Sequence, residues 1–191
     1  MKSLESKILR DGLVLPGNIL KVDSFLNHMV DPELFMEMGE DFYHHFKGKG
    51  INKILTLEVS GIALAFAAAT FFKVPLVFAK KSESLTLGDD VYTSKVYSYT
   101  KKKNFDIRVN RSFLGKEDRL LIIDDFLANG QALQGMFNLA SQAGAHICGA
   151  GIAIEKAFQK GGAELREQGY DIYSQARIEK FEEGTVIFCQ D

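Results

Sequence analysis

The chain has 191 residues, 46% of them hydrophobic and 25% charged, with a net charge of −2. That length suits one domain with a sizeable core, and the near-neutral balance gives no electrostatic footing for a nucleic-acid or membrane-surface role. The N-terminus carries Lys2, Glu5, Lys7, Arg10 and Asp11, so it does not read as a signal peptide, and the longest apolar run, Ile62 to Phe72, is too short to span a bilayer. Cys148 and Cys189 lie in apolar surroundings without metal-ligand spacing and read as buried free thiols of a reducing cytoplasm.

In chain order, residues 2–11 predict a short amphipathic helix with Leu4 and Ile8 one turn apart, stopped at Gly12. Leu13–Leu15 and Ile19–Val22 are short extended pieces around a Pro16-Gly17 turn. Asp31 as N-cap and Pro32 at the first helical position then open a helix. It buries Phe35, Met38, Phe42 and Phe46 and ends at Gly48 or Gly50. Lys53–Leu57 is the first core strand, and Glu58-Val59-Ser60-Gly61 turns it into an alanine-rich helix, which makes a ready anion site. A second strand, Leu76–Ala79, ends in Lys80-Lys81. These lysines either balance a polyanionic ligand or sit in water at a strand end. Ser82–Asp90 is small and polar. Val91–Tyr99 and Phe105–Val109 alternate as an antiparallel ribbon with Lys101-Lys102-Lys103 at a solvated tip, placed to cover a neighbouring sheet.

The stretch that organises the chain is Leu120-Leu121-Ile122-Ile123-Asp124-Asp125. Four apolar residues in a row predict a strand of a parallel sheet, buried on both faces and ending at the two acids. A short loop with Gly130 follows, and a helical pattern of Leu133, Met136, Phe137 and Ala140 opens at about Gln131. Ligands of open α/β sheets gather off the carboxyl ends of strands, and helix N-termini attract phosphate. Paired carboxylates accept hydrogen bonds from a diol and share magnesium, so the pattern suits a ligand with both a phosphate and sugar hydroxyls. On periodicity alone, acids that cap the helix or face water fit equally well. After that helix Gly144 reads as its C′ glycine, and His146–Ile154 is a buried, glycine-rich strand that leads into Glu155-Lys156-Ala157-Phe158. Lys156 either pairs with Glu155 or another acid, or donates to a carbonyl of a base stacked near Phe158. Gly161–Gln168 is a short helix, and Tyr170–Ile178 and Thr185–Gln190 are closing strands.

The segment LIIDDFLANGQA, residues 121–132, resembles the phosphoribosyl-diphosphate signature of the type I phosphoribosyltransferases. Asn129, Gln131 and Ala132 stand where Thr, Gly, and Thr or Ser are commoner. Two hydroxyl donors are missing, which leaves the 5′-phosphate to backbone N–H groups and the two amides. The likeness extends over residues 20–28, 84–87 and 151–159 with order and spacing kept. It implies an α/β fold, with a central parallel five-stranded sheet flanked by helices, a hood built partly from N-terminal residues, and a flexible antiparallel cover, all in one domain over residues 1–191.

The resemblance further implies transfer of ribose 5-phosphate from 5-phosphoribosyl 1-diphosphate to xanthine by a cytoplasmic homodimer, with Mg2+ carried in by the diphosphate. It makes Asp124 and Asp125 catalytic and assigns Leu20, Asn27 and Lys156 to the purine. Ala128, Asn129, Gly130, Gln131 and Ala132 go to the 5′-phosphate, and Ser60, Gly61 and Lys81 to pyrophosphate. Another purine is the nearer alternative. Adenine presents an amino donor that a charged Lys156 opposes, which favours a 6-oxopurine such as guanine. A non-catalytic, ligand-sensing regulator on the same fold is the other. It would carry an additional N-terminal DNA-binding domain, whereas here the catalytic-type region begins almost at once and no basic recognition helix is present.

Overall fold

The computed structural model describes residues 1–81, 90–98 and 103–190. The expected cover segment at 84–87, Tyr99 and the first two lysines of the ribbon tip lie outside them. Helix α1, Lys2–Asp11, buries Leu4 and Ile8. Gly12 ends it by close approach, in an extended conformation: its N–H bonds the Ile8 carbonyl at 2.9 Å, and a Cβ would stand 2.5 Å from that oxygen. Strands β1, Leu13–Leu15, and β2, Ile19–Lys21, form an antiparallel hairpin whose turn places Gly17 and Asn18 at positive φ. One turn of π-helix, Asp23–Asn27, buries Phe25 and Leu26. Then α2, Pro32–Phe46, starts with the Asp31 carboxylate accepting from Leu34 N–H, and sinks Phe35, Met38, Phe42 and Phe46 into the core.

The remaining elements are β3 Lys53–Leu57, α3 Gly61–Phe72, β4 Leu76–Ala79, β5 Val91–Ser98, β6 Lys103–Asn110, β7 Arg119–Leu127, α4 Gln131–Ala143, β8 His146–Lys156, α5 Gly161–Glu167, β9 Ile172–Glu182 and β10 Thr185–Phe188. The central sheet runs β10-β9-β8-β7-β3-β4. Five strands, β9 to β4, are mutually parallel as expected, and β10 adds a sixth, antiparallel edge. Strand β7 departs from its sequence reading. It does not stop at the acids but continues to Leu127, with Asp124 opposite Ile152 and Phe126 opposite Ile154 of β8. Alternation along β7 feeds both faces of the sheet. Leu121 and Ile123 join the cluster under α2 and α3, while Leu120 and Ile122 join the cluster under α4. Each of the four is fully buried and contributes about 1.5–3 kcal/mol of transfer free energy.

The β5–β6 ribbon is bonded to the sheet at its root, where the backbones of Lys80 and Arg108 exchange two hydrogen bonds of 2.9 Å. Val96, Ile107 and Val109 are buried with α4. Gly135 permits this packing, because a Cβ there would come within 2.5 Å of Val96 Cγ2. Of the two free thiols, Cys148 is buried, but Cys189 is only half-buried because it follows the edge strand β10. Among the described residues no helix is long and apolar enough to cross a membrane.

Candidate active site

Strands β3, β4 and β7 deliver their carboxyl ends to one cleft of about 250 Å³. It gathers Ser60, Lys81, Asp124, Asp125 and residues 128–132, which the sequence had linked only by resemblance. Two helices open onto it. Ser60 precedes α3 and Gly130, at φ 76°, precedes α4, and neither helix has a side-chain N-cap bond. No side chain therefore competes with an anion at either end, although in α3 the Ile62 N–H is already given to the Val59 carbonyl at 3.2 Å. The two ends flank the acids.

Asp124 is 6% exposed, and its Oδ1 accepts the backbone N–H of Asp125 at 3.1 Å. Burial holds its carboxyl well above the usual carboxylate range, the neighbouring Asp125 charge adds to the rise, and Lys81 opposes it more weakly. Gly61 is absent from the lining but packs behind it. A Cβ on Gly61 would overlap Thr56 Oγ1 and come within 3.5 Å of Asp124 Oδ1. The Thr56 hydroxyl is itself committed, donating to the Ile123 carbonyl at 2.7 Å, one residue before the buried acid.

Eight lining residues had no site role in the sequence reading, among them Glu58, Tyr97 and Phe105. Glu58 Oε1 accepts the Lys81 backbone N–H at 2.6 Å, so this acid of the β3–α3 turn fixes the lysine that follows β4. The Lys81 ammonium lies 5.6 Å from the Phe105 ring centroid. The signal for Glu58 was its place in the turn. The two aromatics gave none beyond their place on the ribbon.

Leu20, Asn27 and Lys156 do not line the cleft. Leu20, on β2, is buried in an apolar cluster. Asn27 lines a separate apolar groove with Val59 and Phe66, and Ser60 borders both spaces. Lys156 donates to the Asn18 carbonyl of the β1–β2 turn at 2.8 Å, and its burial lowers the ammonium pKa. It does not pair with Glu155, whose carboxylate is taken by Arg166. Phe158 packs edge-on to Phe181 at 5.7 Å. Among the described residues no three His, Cys, Asp or Glu side chains converge on a metal position.

The fold is that of the type I phosphoribosyltransferases. Adenine phosphoribosyltransferase of Trypanosoma brucei, solved with AMP, pyrophosphate and ribose-5-phosphate, matches with a TM-score of 0.76 at 18% identity, covering 91% of this chain and 79% of that one. No protein-family model matches the chain. Curated relatives match over nearly the full length of both chains. The xanthine phosphoribosyltransferase of Finegoldia magna is 56% identical over 188 residues, covering 98% of this chain and 99% of that protein. That of Bifidobacterium adolescentis is 53% identical over 191 residues, with coverages of 98% and 99%. The chain belongs to the xanthine phosphoribosyltransferase family.

Proposed function

We propose that the protein transfers ribose 5-phosphate from 5-phosphoribosyl 1-diphosphate to xanthine, forming xanthosine 5′-monophosphate and pyrophosphate in purine salvage. The reading is supported by relatives bearing that name at 52–56% identity, and above all by two acids held between two uncapped helix N-termini. In this reaction the C1–oxygen bond to pyrophosphate breaks, the bond from the purine nitrogen to C1 forms, and the base gives up a proton. The ribose ring passes through a cationic state while negative charge grows on the leaving group. Electrostatic stabilisation and positioning then do most of the catalysis.

In this reading Asp124 and Asp125 accept the ribose hydroxyls and favour the cationic ring. The α4 end with residues 128–132 takes the 5′-phosphate. The α3 end, with Ser60, Gly61 and Lys81, takes the departing pyrophosphate. Magnesium fits the donor set, since it favours one or two carboxylates with substrate oxygens and water over an all-protein cage, and Asp124 and Asp125 would hold it. Bound there, it supplies charge neutralisation for the leaving diphosphate.

We assign the purine to Leu20, Asn27 and Lys156. The strongest support is Lys156, at the carboxyl end of β8, with a half-buried ammonium whose partner is a hood carbonyl that a 6-oxo group can replace. We also take the protein to act as one domain over residues 1–191, as a homodimer, in the cytoplasm; the free thiols suit a reducing compartment.

Steady-state turnover of xanthine, guanine, hypoxanthine and adenine with phosphoribosyl diphosphate tests the reading. Xanthine is expected to give the highest kcat/KM, and equal or better use of guanine would replace it as the substrate. Asn27 offers both a donor and an acceptor for the 2-oxo edge that hypoxanthine lacks. An unmet polar group there costs about 1–3 kcal/mol, a discrimination of roughly tenfold to a hundredfold. Asn27→Ala should narrow the xanthine-to-hypoxanthine ratio, whereas Lys156→Ala should weaken both bases together. An unaltered ratio in Asn27→Ala would pass the 2-position to another residue.

A further inference from the structure

Helix α5 lies directly against the loop that precedes α4. The Gly161 N–H bonds the Ala128 carbonyl at 3.2 Å, and the fit leaves no space between them. A Cβ on Gly161 would overlap Ala128 O and come within 2.5 Å of Asn129 C and Gly130 N. From the other side, a Cβ on Gly130 would stand 3.3 Å from Leu165 Cδ1 and 3.4 Å from Gly161 Cα. The loop thus takes its position from a helix of seven residues, which is too short to be stable unless something holds it.

What holds it is an ion pair on a buried carboxylate. Glu155, on β8 and 2% exposed, receives Nη1 and Nη2 of Arg166 from α5, each at 2.7 Å. Arg166 also donates to the Ile172 carbonyl at the start of β9, and Arg177 Nε stands 3.5 Å from the same carboxylate. Gly162 makes room for this arrangement, because any side chain at that position would overlap Glu155 Oε1. Burial pushes the Glu155 carboxyl up, but its hydrogen bonds and the guanidinium charges outweigh that and leave it below the ordinary range, so it is charged at neutral pH. A bidentate pair of this kind fixes orientation as well as distance. None of its atoms reaches the cleft.

We propose that Glu155 and Arg166 are positioning residues for the 5′-phosphate, holding α5 so that Gly161 sets the height of the Ala128–Gly130 backbone. The proposal rests on the assignment of that loop to the phosphate. It separates the two anion sites of the cleft, because α3 and its N-terminus make no use of the pair.

Calorimetric titration of the full chain with ribose 5-phosphate, and separately with pyrophosphate, tests this, with thermal unfolding as a control for folding. Gly161→Ala and Arg166→Lys, the second keeping the charge but losing the two-pronged geometry, should weaken ribose 5-phosphate on the order of tenfold or more while leaving pyrophosphate unchanged. In turnover, KM for phosphoribosyl diphosphate should rise with KM for the purine unaltered. Should Gly161→Ala fail to fold, Arg166→Lys alone decides. Gly130→Val distinguishes the two levels of the argument. If it weakens ribose 5-phosphate and the other two do not, the loop holds the phosphate but the positioning proposal is overturned. If Gly130→Val also binds as wild type, the phosphate assignment falls and the proposal with it. Equal losses for both ligands would reduce the pair to general structural support and likewise overturn it.

Discussion

Replacing either acid of the cleft by asparagine is expected to lower kcat about a hundredfold, the usual cost of one electrostatic contact to a transition state. Asp124→Asn should also raise the melting temperature of the ligand-free protein at neutral pH. The side chain sits almost out of water beside Asp125, and its carboxyl titrates above its unfolded value of about 4. A carboxyl shifted upward favours the folded state below that unfolded value. The advantage is lost as pH rises through the folded pKa. Above that point the folded protein bears a desolvated charge, and asparagine removes it. The gap in melting temperature between Asp124→Asn and wild type should therefore widen from acid to neutral pH, whereas Asp125→Asn relieves only the repulsion. A variant of Asp124 less stable than wild type at neutral pH, or near-normal turnover in both variants, would remove the acids from the role given to them. Stability is here set against activity: the charge that the cationic ring requires is one that the empty site does not favour.

Gly61→Ala should act on the same acid from behind. Its new methyl overlaps Thr56 Oγ1, on a buried β-branched side chain that has no free rotation to offer. Either the hydroxyl gives up Ile123 O or the start of α3 moves off β7 and takes Ser60 with it. Overpacking of this kind costs about 1–3 kcal/mol, and a shift of about an ångström at a catalytic carboxylate is worth up to about a hundredfold in rate. Thr56→Ala removes the obstructing oxygen. The double variant Thr56→Ala, Gly61→Ala should thus be more active and more stable than Gly61→Ala alone, a departure from additivity expected only for residues in contact. Strict additivity would show that the clash is absorbed elsewhere.

The outline of the fold was legible because the apolar runs at Ile54, Leu76, Leu120 and Ile152 have the length and β-branched content of buried parallel strands. The acids were legible as a pair but misplaced, because Asp is a poor strand former and a reading along one chain ends β7 there. The partner strand β8 overrides that preference by supplying a ladder as far as Leu127. The π-helical turn at Asp23–Asn27 was unreadable, since five residues do not separate a period of 4.4 from a loop. Lys156 was visible as a lysine at a strand end, but its bond to Asn18 joins residues 138 apart and has no local signature. Glu155 and Arg166 are only 11 residues apart, yet nothing in the sequence pairs them, and the glycines at 161–162 open a helix without showing what they pack against.

The continuation of β7 beyond Ile123 has a consequence for how tightly substrate can be held. Because Asp124 and Phe126 are in register with β8, the backbone that carries both acids gives up its conformational entropy when the sheet forms, not when ligand arrives. Residues 122–127 should therefore be among the slowest in the chain to exchange their amide hydrogens, with rates that ligand hardly alters, whereas the amides of 128–131, which lie beyond the ladder, should slow markedly on ribose 5-phosphate binding. The acids then add no cost of ordering when ligand binds.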